Sequence, residues 1–339
     1  MEQTYSFDDV LLVPQKSDIK SRSEVDISSN LGKNSFRLPV IASPMDTITG
    51  ARMCVATSQQ GALAIIHRYN SIPEQVEIAS YVKDVRPTAK IAAAIGMTGD
   101  YFDRAVNLYE AGVRIMCVDV AHGHHSMMQS CLKKLKDAFG ESVHIMAGNV
   151  ATLEAFEDLS EWGADSIRVG IGGGSICSTR IVTGHGLPTF QSVLDCSKTS
   201  YDTKIIADGG IKTTGDMVKA LAAGADFIMV GSLLSGTDET PGEVIVGAKG
   251  EKYKHYRGMA SKEAQRNWRG KSSTPEGVAT MVPYKGPVKG ILEDFNGGIR
   301  SGLSYTGVRS IKELQSKRHF VLQSSAAQLE SNTHIMWRY

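Results

Sequence analysis

The sequence predicts an α/β fold, a (β/α)8 TIM barrel whose active site lies at the C-terminal ends of its strands. Three observations carry that expectation. Short apolar runs recur eight times, amphipathic stretches of helical period fall between most of them, and polar, glycine-rich segments follow the runs directly. Nearly continuous apolar strands alternating with helices imply a parallel sheet covered on both faces. Eight such units favour closure over the rival, an open doubly wound sheet.

The runs are Pro39–Met45, Gly61–His67, Lys90–Gly96, Val113–Val120, His144–Ala147, Ser166–Ile171, Lys204–Asp208 and Phe227–Gly231. Tyr101–Ala111 and Gly215–Ala223 have the spacing of amphipathic helices. Three helix-to-strand joints share their punctuation: Ala111-Gly112-Val113, Gly163-Ala164-Asp165 and Gly224-Ala225-Asp226. A glycine there suits a left-handed helix cap. The polar segments are Asp46-Thr47, Asp119–His125, Gly148-Asn149, Gly172–Arg180, Asp208–Gly210 and Gly231-Ser232. In a barrel all of them meet on one rim, where active sites are built. Residues 236–287 then turn rich in Gly, Lys, Ser and Thr and include Trp268. They read as a solvated excursion on the catalytic rim, a short mobile flap. Residues 1–339 read as one catalytic domain with none inserted between strands.

Composition narrows the class. Hydrophobic residues make up 42% and charged ones 22% of 339 residues, and the net charge is +1. No global field recruits nucleic acid or an anionic membrane, so any phosphate recognition is local. The N-terminus lacks a basic region followed by an apolar stretch, and no apolar run reaches the length of a membrane span. Cys54, Cys117, Cys131, Cys177 and Cys196 form no CxxC pair. Free thiols in a reducing, cytoplasmic compartment are the expectation. Four of the cysteines sit in apolar contexts and read as small core residues.

Cys177 differs. It lies in Gly170-Ile171-Gly172-Gly173-Gly174-Ser175-Ile176-Cys177-Ser178-Thr179-Arg180. Glycines let backbone groups approach a ligand closely, and Arg180 and backbone dipoles would favour a thiolate. A flexible turn with an incidental cysteine has the same composition, and composition alone leaves both readings open. Asp208-Gly209-Gly210 and Gly231-Ser232 follow the last two strands, where barrels commonly bind phosphate, with Asp208 free for ribose hydroxyls. His122, His124 and His125 lack the spacing and further ligands of a zinc site. Asp119, at a strand end, is the better candidate.

Taken together, Phe7-Asp8-Asp9-Val10-Leu11-Leu12, Ser43-Pro44-Met45-Asp46-Thr47, Gly148-Asn149-Val150, the Cys177 loop, Asp208-Gly209-Gly210 and Gly297-Gly298-Ile299-Arg300-Ser301 resemble the IMP dehydrogenase and GMP reductase family. The resemblance covers nearly the whole chain. It implies a homotetrameric barrel, a purine nucleotide held by its phosphate, and a covalent thioimidate between Cys177 and C2 of the base.

Within that family several features are similar to the reductases. Lys20-Ser21-Arg22-Ser23-Glu24-Val25 matches a stretch that places a Ser-Arg pair on the adenosine end of NADPH, where an arginine suits a 2′-phosphate. Residues 70–90 run on without the regulatory CBS pair. Residues 261–275 contain no Arg-Tyr pair of the kind that activates water in the dehydrogenases. Ser304-Tyr305-Thr306-Gly307 and Lys312-Glu313-Leu314 also read as reductase. Other features resemble the dehydrogenases: Ser43–Thr47, Asp119 with His122-Gly123-His124, and the tail Leu329-Glu330-Ser331-Asn332-Thr333-His334. Gly173 replaces the usual proline, Ser178 a threonine, and Arg68 the lysine common in reductases.

The resemblance implies a GMP reductase, converting GMP to IMP and ammonia with NADPH. The alternatives are an IMP dehydrogenase without the CBS module, oxidising IMP with NAD, and a non-catalytic nucleotide-binding relative. By the same resemblance Cys177, Thr179 and Glu276 are the catalytic residues. Ser175, Asp208, Gly209, Gly210, Gly231, Ser232, Gly258 and Met259 hold the nucleotide. Ser21, Arg22, Arg68, Asp119, Val120 and Ala121 line the cofactor path, with Ser301, Gly302, Leu303 and Ser304 reaching it across a subunit boundary. Carbonyls of Gly172, Gly174 and Cys177 fit the family's potassium position.

Overall fold

The computed structural model describes residues 2–331 and residue 333; Asn332 and His334 of the tail motif lie outside them. Eight parallel strands close a barrel: β1 Val40–Ala42, β2 Leu63–Ile66, β3 Ala92–Ile95, β4 Ile115–Asp119, β5 His144–Val150, β6 Ser166–Val169, β7 Lys204–Asp208 and β8 Phe227–Val230. Closure comes from β8 pairing with β1 in the register Ile228↔Val40, Met229↔Ile41 and Val230↔Ala42. Each strand lies within, or within a few residues of, the apolar run that predicts it.

The strands alternate two apolar faces, as the two-residue period of a strand requires. Ile41, Leu63, Ile65, Ala92, Ala94, Ile115, Cys117, Met146, Ile206, Phe227 and Met229 fill the barrel interior. Their neighbours, among them Val40, Ala64, Ala93, Met116 and Ile145, pack outward with the helices. The antiparallel hairpin Ser29–Leu31 with Asn34–Phe36 adds Leu31 and Phe36 to the inner cluster, and Phe36 meets Phe227 edge-on at 5.7 Å.

The helices that matter for the site are α4 Ser126–Phe139, α5 Leu153–Glu161, the short α6 Thr179–Thr183, α7 Thr189–Cys196, α8 Thr214–Ala223, α9 Lys262–Arg269 and α10 Val288–Thr306; α1 Ala51–Gln59, α2 Ile72–Val85 and α3 Tyr101–Glu110 precede them. Between β2 and β3 the chain makes the single helix α2. The repeated Gly-Ala-Asp joints have a physical reason. Gly163 and Gly224 take φ of 103° and 131°, and the aspartate two residues on reaches back to the preceding strand. Asp165 accepts from Ile145 N–H at 2.6 Å and Asp226 from Ile205 N–H at 2.9 Å.

The excursion over residues 236–287 corrects the expectation of a mostly solvated loop. It holds a three-stranded antiparallel sheet, β9 Ile245–Val246, β10 Lys252–Arg257 and β11 Ala279–Pro283, together with α9. Its polar composition hid this because an inward position is occupied by a lysine: Lys254 is only 2% exposed, beside the buried Tyr256. Cys54, Cys117, Cys131 and Cys196 are buried, as expected, and Cys177 is partly exposed. Among the described residues no helix is long and apolar enough to cross a membrane, and no group of three or more His, Cys, Asp or Glu side chains is placed to hold a metal ion.

Candidate active site

The loop after β6 is shaped by what surrounds it. Gly170 has φ 144°, and a Cβ there would fall 2.0 Å from the carbonyl oxygen of Asp208. Only a glycine lets β6 and β7 open their loops this close together. Cys177 N–H donates to Gly174 O at 3.1 Å. Across the loop, the edge of the excursion zips on: Ser178 N–H donates to Glu276 O at 2.9 Å, Val278 N–H to Ile176 O at 3.0 Å, and Cys177 bridges Gly277.

That pairing aligns three side chains. The Cys177 thiol donates to Thr179 Oγ1 at 3.2 Å, and the Thr179 hydroxyl donates to Glu276 Oε2 at 2.8 Å. Thiol, hydroxyl and carboxylate thus form a continuous path for a proton, the arrangement that activates a nucleophile or protonates a leaving group.

Below them lies a chamber of about 290 Å³. Its floor is a charged network. Buried Arg168 donates to Asp208 Oδ2 at 2.9 and 3.2 Å and to Asp119, while Asn149 Nδ2 donates to Asp208 Oδ2 at 2.8 Å. Arg68 lies 3.6 Å from Asp119. Burial alone would lower the Arg168 pKa; Asp208 and Asp119 outweigh it and hold the guanidinium well above its ordinary value. The contacts to Asp208 converge on Oδ2, which leaves Oδ1 to accept hydroxyls. At the other end Tyr256 OH lies 3.5 Å from Ser175 Oγ beside Ser232. A second chamber of about 450 Å³ adjoins it, sharing Arg68, Tyr69, Met259 and Glu276. There Tyr69 meets Trp268 edge-on at 5.7 Å and carries the Arg68 guanidinium 4.9 Å above its ring.

Most residues the sequence singles out line the first chamber: Arg68, Asp119, Val120, Ala121, Gly172, Gly174, Ser175, Cys177, Thr179, Asp208, Gly209, Gly210, Gly231, Ser232, Gly258, Met259 and Glu276. Two groups do not. Ser21 caps a 3-10 turn that begins at Arg22, and Arg300 Nη1 of α10 donates to Arg22 O at 3.3 Å. Ser301–Ser304 follow on the same helix, so the two groups are neighbours outside the chamber of their own protomer. Within that set Leu303 is a core residue, fully buried, and a Cβ on Gly302 would strike Val218 at 2.5 Å. Neither presents a side chain to a cofactor.

Sequence reasoning missed Arg168, Tyr256, Tyr69 and Arg257. Arg168 carried one signal, a lone cation inside an apolar strand. Arg257 pairs with Asp46 at 2.6 Å and Glu263 at 2.8 Å, fastening β10 to the loop after β1; its sequence neighbours Gly258-Met259 drew the attention instead.

Residues 4–334 match the IMP dehydrogenase / GMP reductase domain family. Inosine-5′-monophosphate dehydrogenase of Borreliella burgdorferi is 35% identical, over 98% of this chain and 97% of that protein. GMP reductase of Leishmania major is 31% identical, over 97% and 96%. The crystal structure of a cysteine-to-alanine variant of Trypanosoma brucei GMP reductase, in complex with guanosine 5′-monophosphate, superposes with a TM-score of 0.92, at 30% identity and 98% coverage of both chains. With the barrel, the cysteine loop and these matches in agreement, the chain belongs to the IMP dehydrogenase / GMP reductase family, oxidoreductases that act on purine nucleotides with a nicotinamide cofactor.

Proposed function

We propose that the protein is a GMP reductase, which deaminates GMP reductively to IMP and ammonia. The observation that carries this is the roof of the site. Between Met259 and Glu276 the chain makes only α9 and a short return, without an Arg-Tyr pair to activate water, and it delivers Glu276 onto Thr179. That geometry supports an amine departing rather than a water arriving. Cys177 Sγ adds to C2 of the base, and its proton passes through Thr179 to Glu276. The same carboxylic acid then protonates the amine, because neutral ammonia leaves only when a proton reaches it. NADPH, when bound, supplies the hydride that C2 receives before the sulfur departs. Asp208 accepts the ribose hydroxyls, and the turns at Gly209-Gly210 and Gly231-Ser232 hold the phosphate beside Ser175 and Tyr256.

The second chamber would take the nicotinamide: an aromatic pair, an arginine and Met97 line it, and it adjoins the chamber that holds Cys177. Backbone oxygens of Gly172, Gly174 and Cys177, hard donors on the loop that lines the chamber, would hold potassium. Ser21, Arg22, Ser301 and Ser304, exposed or half-buried outside their own chamber, would meet the adenosine end of a neighbouring copy's cofactor in a homotetramer. The free thiols support a cytoplasmic setting.

A second reading has its own support. Asp119 with His122-Gly123-His124 and the dehydrogenase relatives favour oxidation of IMP with NAD. Reduced nicotinamide absorbance, followed with GMP plus NADPH and with IMP plus NAD in potassium buffer, decides. Loss of NADPH with ammonia formed supports the reductase; NADH and XMP appearing would establish the dehydrogenase; silence in both would leave a nucleotide-binding relative.

A further inference from the structure

The first chamber is short of positive charge. Its lining carries two arginines, Arg68 and Arg168, against three carboxylates, Asp119, Asp208 and Glu276. Both arginines are already engaged, Arg168 by Asp119 and Asp208 and Arg68 by Asp119. A phosphate monoester carries about −1.5 to −2 charge near pH 7. It would enter a lining that is negative by one and holds no spare cation.

The counter-charge lies behind the turn that follows β8. Leu234 and Ser235 N–H donate back to Gly231 O at 3.0 and 3.1 Å, so the turn opens as a helix does, and the N–H groups of Ser232 and Leu233 precede its ladder. The carbonyl ends of those same residues are gripped from outside. Lys285 Nζ donates to Ser232 O at 3.1 Å and to Leu233 O at 3.2 Å. The excursion fixes Lys285 there: its own N–H donates to Gly236 O at 2.8 Å, and the preceding Tyr284 donates its hydroxyl to Asp238 at 2.6 Å. Lys254 grips the same turn further on, at Thr237 O and Thr240 O, 3.1 and 2.6 Å away. Asp238 and Glu239 offset Lys254. Among the described residues no carboxylate pairs with Lys285.

We propose that Lys285 is the positioning cation that makes this site select a nucleotide monophosphate over the corresponding nucleoside. It acts through the turn. A cation at the oxygen end of a peptide unit polarises the N–H at the other end, and hydrogen bonds in series strengthen one another. The excursion therefore does more than roof the site; its far edge charges the phosphate turn from behind. The inference rests on the reading of Gly231-Ser232 as that turn.

The test is equilibrium binding of GMP, IMP and guanosine to the full-length wild type and to Lys285→Gln and Lys285→Arg, at low and high salt, with thermal melting of each. Lys285→Gln is expected to weaken both nucleotides about tenfold at low salt, less at high salt, because a partly exposed charge is screened over about 10 Å at 0.1 M. Guanosine affinity and the melting temperature stay put, and Lys285→Arg recovers most of the loss. Equal weakening of guanosine and GMP would show a merely structural role and overturn the proposal, as would unchanged GMP affinity and salt dependence. A wild type that binds neither nucleotide overturns this inference together with the nucleotide site. One that binds both but turns over only IMP with NAD overturns the reductase reading alone.

Discussion

Cys177 owes its role to two neighbours, not to the glycines that first mark it. Its thiol points at Thr179 and through it at Glu276, so Cys177→Ala removes the proposed nucleophile and leaves the chamber walls intact. Turnover is expected to fall by on the order of a thousandfold or more while GMP binding stays within about threefold; full activity in steady-state assays would end the covalent mechanism. Gly173, where the family's proline is replaced, is explained one shell further out. Its φ is not positive, so the backbone would accept a side chain, but a Cβ would sit 2.7 Å from Thr189 Oγ1. That hydroxyl is buried and has no hydrogen-bond partner among the described residues, so losing it forfeits no bond seen there. Gly173→Ala is therefore expected to destabilise by about 1–3 kcal/mol and to slow alkylation of Cys177. Thr189→Ala, nearly silent alone, restores both in the double variant, a coupling of about 1 kcal/mol or more. Independent, additive effects would sink the pairing. The sequence shows Gly173 as an anomaly but gives no sign of Thr189, because the contact joins a loop to the first turn of α7.

The same division holds for whole elements. The eight strands are legible because each is apolar on both faces, and the joints are legible because Gly-Ala-Asp recurs where a helix stops and a carboxylate reaches back. The sheet β9–β11 is not legible. Its inward-facing Lys254 reads as a surface residue, and the carbonyls of Thr237 and Thr240, brought by a different turn, together with the charges of Asp238 and Glu239, make its burial tolerable. Arg168 is hidden for the complementary reason, a site residue inside a strand whose partners lie on β4 and β7. The excursion is fastened to the barrel by Arg257, whose guanidinium the Asp46 hydrogen bonds hold above its usual pKa. Removing it leaves Asp46, only 14% exposed, without its cation. Arg257→Gln is expected to loosen residues 258–276 from the rim. Cleavage by trypsin within residues 262–271 should accelerate, and KM for the nucleotide should rise about tenfold as Met259 and Glu276 lose their anchorage, an effect of about 1.4 kcal/mol. Unchanged proteolysis would mean that the pairing of Cys177 with Gly277 holds the excursion unaided.

At the scale of the molecule, the catalytic rim is mounted on a barrel whose opposite end contains a pH-sensitive group. His144, at the start of β5, is 7% exposed, and its Nε2 pairs with Ser166 Oγ at 2.8 Å. Burial, opposed by Asp165 and reinforced by Lys136, pushes its pKa down from 6.5 to about 4. Between those two values the unfolded chain binds a proton that the folded barrel refuses, so stability rises with pH across that window and is lost as pH falls through it. The shift corresponds to about 3 kcal/mol at most, with the decline beginning near pH 6.5 and levelling off below about 4. Carboxylates titrate in the lower part of the same range, so the measurement is a difference: urea unfolding of the wild type and of His144→Gln, which retains a hydrogen-bonding group toward Ser166. The variant is expected to start lower at about pH 7 and to lose less on acidification, the two curves converging near pH 4. Parallel curves would place the acid sensitivity elsewhere, with buried His67 the next group to test, since burial lowers its pKa as well. Because His144 sits at the opposite end of the barrel from Cys177, the acid limb of kcat, measured where both proteins remain folded, should be the same in both, separating loss of the barrel from the pH dependence of the site itself.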